Sequence, residues 1–500
     1  MVMPDTSAPP EPRRNSILDK ILDPKTGPWI LLGTAALILL AFPGAPTLWT
    51  LEGRSAVICR EMLRSGDYFH PYLFDEEYYD KPLVPYWMIL GFARLLGGLS
   101  ETAMRLPGIL AGLIAIACTW RIGLRRYGPA AGLTAGWLLA TCGIFVYWSR
   151  LAGSDLLNLA AVIGAVCCYT ERRDRPGFVT HALFFAILAV GAQMKGLIAP
   201  VLAVLAILPD LFQEGRWRRH LRLSLLPALI PAALLYLTPF LLSNATAGPN
   251  YQSSGLAMAF KENILRFFRP FDHQAPLYVY VEYLPLYALP WTFFLPPLLW
   301  RIRRWKELGP DSRWPLLASL LILGFLTLSG SRRNYYVLPI LPFVMLAIAD
   351  WIHEPGGARR RKAAFWTASV AAAGLLLFYG VALPLVYRHG NVRVMSAEIR
   401  EAAERQAPWS EWRVVLFNTN PQMGYYLDPA VRARRLLTEE ELQQALKEHP
   451  RTVVVTYARH AAKVESQIGR SAVVRERSII PGSLGQAKTT PDSQVAFVPQ

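Results

Sequence analysis

Apolar positions in this chain collect into blocks rather than scattering. WILLGTAALILLAF (29–42) opens the series, and similar blocks recur near 103–120, 129–148, 156–170, 178–193, 196–212, 223–243, 284–300, 314–329, 335–351 and 363–386. Each is close to the roughly 17–25 residues that a helix needs to cross a bilayer. The pattern predicts an all-α polytopic membrane protein with about eleven or more spans. The division around Lys195 and the segment 83–98 are left open.

Polar positions between the blocks fall into two kinds. One kind is short and basic: RRNSILDK, RIGLRR (121–126), ERRDR (171–175), RWRRHLR (216–222), RIRRWK (301–306) and ARRRK (358–362). The positive-inside rule places all of these on the cytoplasmic side without conflict. The N-terminus is then inside and everything after Tyr387 outside. Hydrophobic residues make up 53% of the chain and the net charge is +16. That basicity is mostly a topology signal, and it argues against a nucleic-acid partner.

Three regions follow: a polar cytoplasmic tail (1–28), a membrane body (29–386) and an exported segment (387–500). No cleavable signal peptide is expected ahead of the first span. The last region reads as a small α/β domain. WRVVLFN (412–418) and TVVVTY (452–457) suit buried strands. Between them TEEELQQALKEH sets Thr438 and Glu441 at capping-box spacing and Leu442, Ala445 and Leu446 on one face. The final fifteen or so residues read as frayed. Of five cysteines, four (Cys118, Cys142, Cys167, Cys168) lie in apolar blocks and Cys59 stands alone outside, so neither a disulfide framework nor a zinc pattern is expected.

The exported loops, 46–100 and 244–283, are longer. In RSAVICREMLRSG (54–66), Val57, Ile58, Met62 and Leu63 share a helical face that ends at Ser-Gly, which suits a helix lying on the membrane surface. Glu52 and Arg54 follow the first span, either as interfacial charges or as site residues. In YYDKP (78–82), Pro82 fixes φ and holds Lys81 near the membrane face, where it either snorkels or meets a lipid phosphate. Asp75, Glu76 and Glu77 read as a solvated rim. Asp80 is open between an ion pair with Lys81 and a substrate contact. His70 has no second metal ligand at sensible spacing. Asp155 either caps its helix or serves a site. Lys195, Arg332, Arg333, Arg266 and Arg269 lie on the exported side against the charge bias. Gathered around one cavity they would neutralise a lipid phosphate or pyrophosphate; singly, each would anchor a headgroup.

LEGRSAVICREMLRSGDYF, YYDKPLVPYW, ETAMRLPGILAG, MKGLIAP, HQAPLYVYVEYLPLYALPW and SGSRRNYYVLPILPF stand in an order that resembles bacterial GT-C glycosyltransferases of the protein O-mannosyltransferase and lipid A aminoarabinose transferase superfamily. The resemblance covers about 29–350, and the exported segment is similar to the soluble domain of the aminoarabinose branch. It implies an inner-membrane enzyme that takes a sugar from a polyprenyl-phosphate donor and gives it to a lipid (lipid A-like) or protein acceptor. It implies catalytic roles for Glu52 and Asp155, and donor-phosphate binding by Lys81, Lys195, Arg332 and Arg333. Substrate contacts are considered at Arg54, His70, Asp80, Arg269, His273 and Tyr335. In the family an Asp-Glu pair follows the first span, and here Leu51 replaces the Asp. No cofactor is implied with certainty, and a divalent metal stays open.

The chemistry implied is displacement at an anomeric carbon. Negative charge grows on the departing phosphate, where fixed cations stabilise it. An acceptor hydroxyl needs a carboxylate to take its proton, whereas an acceptor that is already ionised needs less help. A transporter of lipid-linked or small anionic substrates, or a non-catalytic homologue, are the other classes. Against the transporter, no repeat of matching broken helices is visible and the polar residues concentrate in outer loops.

Overall fold

The computed structural model describes residues 20–174, 176–213, 215–248, 251, 255, 257, 261, 275–388, 392–478, 486–488 and 490–500. Arg266, Arg269, His273 and most of the N-terminal tail lie outside these residues.

Helix α1 (Gly27–Leu40) starts with Pro28 in its first turn, where the missing N–H costs nothing. It buries Leu31, Ala35, Ile38 and Leu39 and leaves Trp29 and Leu37 exposed. That exposure suits a surface whose solvent is lipid. Two helices of the first exported loop follow, α2 (Thr50–Ser65) and α3 (Val84–Leu95), with a short hairpin of β1 (Tyr72–Leu73) and β2 (Glu76–Glu77) between them. Helix α2 stops where the sequence predicts: Gly66 adopts φ 72° and donates to Met62 O at 3.0 Å.

The body continues with α4 (Glu101–Tyr127), α5 (Pro129–Ala140), α6 (Gly143–Ser149), α7 (Ser154–Arg172), α8 (Phe178–Lys195), α9 (Ile198–Gln213) and α10 (Leu229–Thr246). Ser100 Oγ caps α4 by accepting the Ala103 N–H at 3.2 Å. Helices α4 and α5 form a tight hairpin, because a Cβ on Gly132 would come within 2.4 Å of Leu124 N. The block 129–148 bends by 67° between α5 and α6. The open division near Lys195 is two helices: Gly196 (φ 85°) closes α8 directly after the lysine.

The block 284–300 is built as short pieces, α11 (Val279–Tyr287), a 3₁₀ turn and α12 (Leu295–Arg301). Pro285, Pro290, Pro296 and Pro297 each remove a backbone donor, so one long helix is not sustained. After α13 (Pro310–Leu328), a 3₁₀ stretch Asn334–Ile340 leads into α14 (Leu341–His353) and then α15 (Ala358–Leu377). Among the described residues six helices are long and apolar enough to cross a membrane, seven if the bent pair is one span. Gly27–Leu40 and Ile198–Gln213 are shorter apolar helices.

The basic loops meet at one end of this bundle. Arg126 Nη1 donates to Asp210 Oδ1 and Asp311 Oδ1 at 2.8 and 2.7 Å, and Arg173 Nη1 reaches the same two oxygens at 3.2 and 2.9 Å. Arg216 Nη1 and the Tyr169 hydroxyl donate to Asp210 Oδ2 at 3.3 and 2.7 Å. Beside them Arg301 pairs with Asp350 at 2.9 Å, and Glu354 bridges Arg301 and Arg360. Loops far apart in sequence are thereby tied together.

The C-terminal segment carries α16 (Val392–Glu404), α17 (Gln422–Leu427), α18 (Glu439–Glu448) and α19 (Ala461–Ile468) around a five-stranded sheet. Its strands are β3 (Arg413–Phe417), β4 (Arg434–Leu436), β5 (Thr452–Tyr457), β6 (Ser471–Arg475) and β7 (Gln494–Pro499), in the order β4-β3-β5-β7-β6. Strands β4, β3 and β5 are parallel, and β7 and β6 antiparallel. Alternation sorts the side chains: Val415, Phe417, Val454 and Phe497 pack on Leu442 and Val464, whereas Val414, Leu416, Val453 and Val455 face Met395, Ile399 and Met423. The capping box at α18 forms, with Glu441 N–H on Thr438 Oγ1 at 3.3 Å and Thr438 N–H on Glu441 Oε2 at 3.1 Å.

Two expectations change. The last residues are not frayed: β7 pairs on both sides and its interior is buried, since Val495–Val498 supply the apolar run a central strand needs. Helix α2 does not lie with its apolar face on a membrane surface. Val57, Ile58 and Met62 are buried in one core with Val414, Met423 and Leu427, and only Leu63 of the predicted face is exposed.

Candidate active site

Glu52 stands in the first turn of α2, where a carboxylate favours the helix N-terminus. It is 1% exposed and all four of its lone-pair positions are filled. Arg105 Nε and Nη2 donate to Oε1 and Oε2, both at 2.8 Å. The N–H groups of Ala152 and Trp49 complete the set at 2.8 Å. The remaining donors of Arg105 hold the carbonyls of Pro43, Pro46 and Thr47 at 2.6, 2.8 and 3.1 Å. Arg150 does the same further back, gripping Ile38, Leu39 and Ala41 at 3.0, 2.6 and 2.6 Å. Two buried arginines thus fix the path from α1 to α2. Neither was singled out from the sequence. The signal available was an arginine at the outer end of a span, against the charge bias, in MRLPG and WSRLAG.

The same strap sets the second carboxylate. Ala152, bonded to Glu52, precedes Asp155 by three residues, so the two lie within roughly 11 Å along the chain. Asp155 opens α7 and forms an ion pair with Lys195, the last residue of α8. The ammonium sits over the rings of Tyr336 and Tyr335, 4.3 and 5.6 Å from their centroids. Tyr335 stacks on Trp148 (4.6 Å) and accepts a bond from Arg333. Asp155, Lys195, Arg333 and Tyr335 therefore form one group. Arg332 is turned to backbone, donating through Nε to Ala275 O at 2.7 Å and through Nη1 to Ser329 O. It lines a cavity of about 420 Å³ with Arg333, Glu282, Tyr278 and Tyr283.

The opening loop supplies another group. Arg54 Nη1 donates to the Tyr78 hydroxyl at 2.7 Å and lies 3.4 Å from Asp80 Oδ2. Lys81 Nζ is 3.7 Å from that oxygen. Asp80 Oδ1 is buried without a partner among the described residues. Burial and the Asp80 carboxylate push the Tyr78 phenol up to about 12, so it stays a neutral hydroxyl. Asp80 joins Arg54 to Lys81, and no ion pair among the described residues links them to Lys195.

His70 is committed to the loop itself. Its Nδ1 lies 2.7 Å from Asp67 Oδ2, its Nε2 2.9 Å from Ser243 O, and its ring packs edge-on against Tyr251 at 4.6 Å. Both nitrogens are thus engaged by acceptors, which leaves none for a metal or substrate in this arrangement. Among the described residues no three His, Cys, Asp or Glu side chains converge as a metal site would need.

The helical bundle with this site at one end has the fold of the GT-C membrane glycosyltransferases. It superposes on the crystal structure of ArnT from Cupriavidus metallidurans bound to undecaprenyl phosphate with a TM-score of 0.71 at 17% identity, covering 95% of this chain and 98% of that one. The Archaeoglobus fulgidus oligosaccharyltransferase, tethered with an acceptor peptide, gives 0.51 at 12% identity, with 89% and 71% covered.

Sequence comparison points the same way. Residues 80–242 match the family described as dolichyl-phosphate-mannose-protein mannosyltransferase. The undecaprenyl phosphate-alpha-4-amino-4-deoxy-L-arabinose arabinosyl transferase of Enterobacter sp. (strain 638) is 25% identical over 387 residues, which are 74% of this chain and 68% of that protein. The protein of that name, numbered 1, from Pseudomonas fluorescens (strain Pf0-1) is 24% identical over 452 residues, 85% and 76%. Its counterpart in Sodalis glossinidius (strain morsitans) reaches 29%, with 56% of its own length matched. The chain is thus similar to these arabinosyl transferases over most of its length and, over residues 80–242, to the mannosyltransferase family.

Proposed function

We propose that this chain is an integral membrane glycosyltransferase that moves a sugar from an undecaprenyl-phosphate-type donor to an acceptor of the lipid A kind. The observation that carries the reading is the Asp155–Lys195 pair, roofed by Tyr335 and Tyr336 and flanked by Arg333. The named relatives and the undecaprenyl-phosphate-bound neighbour supply the substrate class.

In this reading Lys195 and Arg333 on one side, and Lys81 and Arg54 on the other, offset the charge that grows on the leaving phosphate. Arg332 shapes the cavity wall. Asp155 keeps one oxygen on Lys195 and turns the other to the acceptor. Glu52 acts differently from the base implied by the family resemblance. With every lone pair filled, it positions the α1–α2 strap and Ala152, and through Ala152 the start of α7. With Leu51 at the usual Asp place, Asp155 is left as the working carboxylate, and an acceptor phosphate that is already ionised needs little general-base help. The bundle has about eleven spans, the tail 1–28 lies in the cytoplasm, and the site and 387–500 face the periplasm.

The test is turnover of a labelled undecaprenyl-phosphate sugar by the purified chain with lipid A as acceptor. Free undecaprenyl phosphate should appear together with labelled lipid A, and Lys195→Met should abolish both. Accumulation of the donor inside sealed vesicles with no release of undecaprenyl phosphate would point to transport instead.

A further inference from the structure

A second cavity, of about 210 Å³, opens at the end of the bundle remote from Lys195. Helix α14 begins directly after the 3₁₀ stretch that holds Tyr335 and ends at His353 in the cavity wall, with 13 residues or roughly 20 Å of rise between. Leu22, Ile30 and Phe365 give the cavity an apolar lining. Its polar side chains are few: the hydroxyls of Thr34, Thr134 and Ser369, the His353 ring, the Trp137 indole and the Arg361 guanidinium. The Thr134 hydroxyl donates to Ala130 O at 2.9 Å and so accepts from His353 Nε2 at 2.8 Å, which uses up that ring nitrogen. The Trp137 indole N–H in the same wall is buried and has no acceptor among the described residues.

Arg361 lines the cavity from the first turn of α15, which contains no acidic residue. Of the four cations in 359–362, Arg360 pairs with Glu354 at 3.6 Å and lies over Trp351, whereas Arg361 makes no ion pair among the described residues. A positive cluster at a helix N-terminus is repelled by the helix's own dipole unless an anion sits there. The space therefore asks for three things from one molecule: a hydrocarbon chain, a hydrogen-bond acceptor for the indole, and an anionic head for the guanidinium.

We propose that this cavity binds one anionic glycerophospholipid, with an acyl chain between α1, α5 and α15, an ester carbonyl on Trp137 Nε1 and the phosphate on Arg361. A polyprenyl phosphate supplies the chain and the anion but no carbonyl acceptor, and a zwitterionic lipid offsets its own phosphate. The site is separate from the proposed sugar transfer and does not depend on it.

The experiment is native mass spectrometry of the full-length protein after exchange into phosphatidylglycerol or phosphatidylcholine. One phosphatidylglycerol per chain should stay bound where phosphatidylcholine does not. Arg361→Gln should weaken its retention about tenfold, as expected for a lost charge-assisted bond. Trp137→Phe, which keeps the ring volume, should weaken it less. Equal retention of the two lipids, no change in Arg361→Gln, or displacement of phosphatidylglycerol by undecaprenyl phosphate would each overturn the assignment. Circular dichroism of both variants separates lost binding from lost fold.

Discussion

Arg105 grips Glu52 through two nitrogens, each 2.8 Å from a different carboxylate oxygen, with both side chains 3% exposed or less. Fifty-three positions separate them in the chain. Removing one partner of a buried pair strands the other charge, so Glu52→Leu should destabilise the protein by about 3–5 kcal/mol. In Glu52→Leu with Arg105→Met the loss should be smaller than the sum of the two single losses, by roughly 1–3 kcal/mol. Thermal melts of the three variants read this directly, and strict additivity would mean the pair is not coupled.

The Asp155–Lys195 pair should behave as reaction machinery. Asp155→Asn keeps the shape and loses the charge; turnover should fall by roughly 100-fold or more while the melting temperature moves little. Lys195→Met should lose at least as much. Donor turnover close to that of the unaltered protein in either variant would remove the pair from the mechanism.

Gly53 faces the C-terminal segment at a distance that permits no side chain. A Cβ there would lie 2.6 Å from Gln422 Cα, a backbone atom that cannot rotate away. Gly53→Ala should therefore lever α17 off α2 and cost about 1–3 kcal/mol through overpacking. Limited proteolysis should show the segment after 387 cut faster in the variant, and an unchanged cleavage rate would mean the two helices part freely.

Asp67 ties His70 and the turn before it. Burial alone would raise its pKa, but the N–H groups of Phe69 and His70 and the His70 ring outweigh that and hold it below the usual carboxylate range. A depressed folded pKa gives stability that is present above the unfolded value near ~4 and is lost as pH falls through the folded one. Protection of the amides at 66–71, taken relative to the unstructured rate at each pH, should be high at pH 6 and fall below about pH 4. In Asp67→Asn that protection should already be low at pH 6, with little further loss below about pH 4.

The local part of the fold was legible in the chain. The blocks that became α4, α8 and α14, the Gly66 stop, the two strands 413–417 and 452–457, and the Thr438–Glu441 cap each depend on neighbours within a turn or a strand. What escaped depends on distant partners. The apolar face of α2 was visible, but its partner was the sheet some 350 residues later rather than lipid. Val495–Val498 reads as a loose end until β5 and β6 flank it. Of the candidate residues, Lys195, Asp155, Arg333 and Lys81 were all nominated from residue type and place, and packing brings the first three together while Lys81 sits with Asp80. That Asp155 pairs with Lys195, and that Glu52 is spent on Arg105, follows only from packing. Tyr336 went unmarked because an aromatic beside an apolar run looks like core.

The ion pairs among Arg126, Arg173, Arg216, Asp210 and Asp311 work as a clasp at the foot of the bundle. Sliding any one of these helices lengthwise would leave a desolvated guanidinium or carboxylate without its counterpart. At the head, the fastenings are more mixed: the Glu52–Arg105 and Asp155–Lys195 ion pairs stand beside bonds from Arg105, Arg150 and Arg332 to backbone carbonyls. The foot is held in register by that clasp, like stems tied at the base of a sheaf.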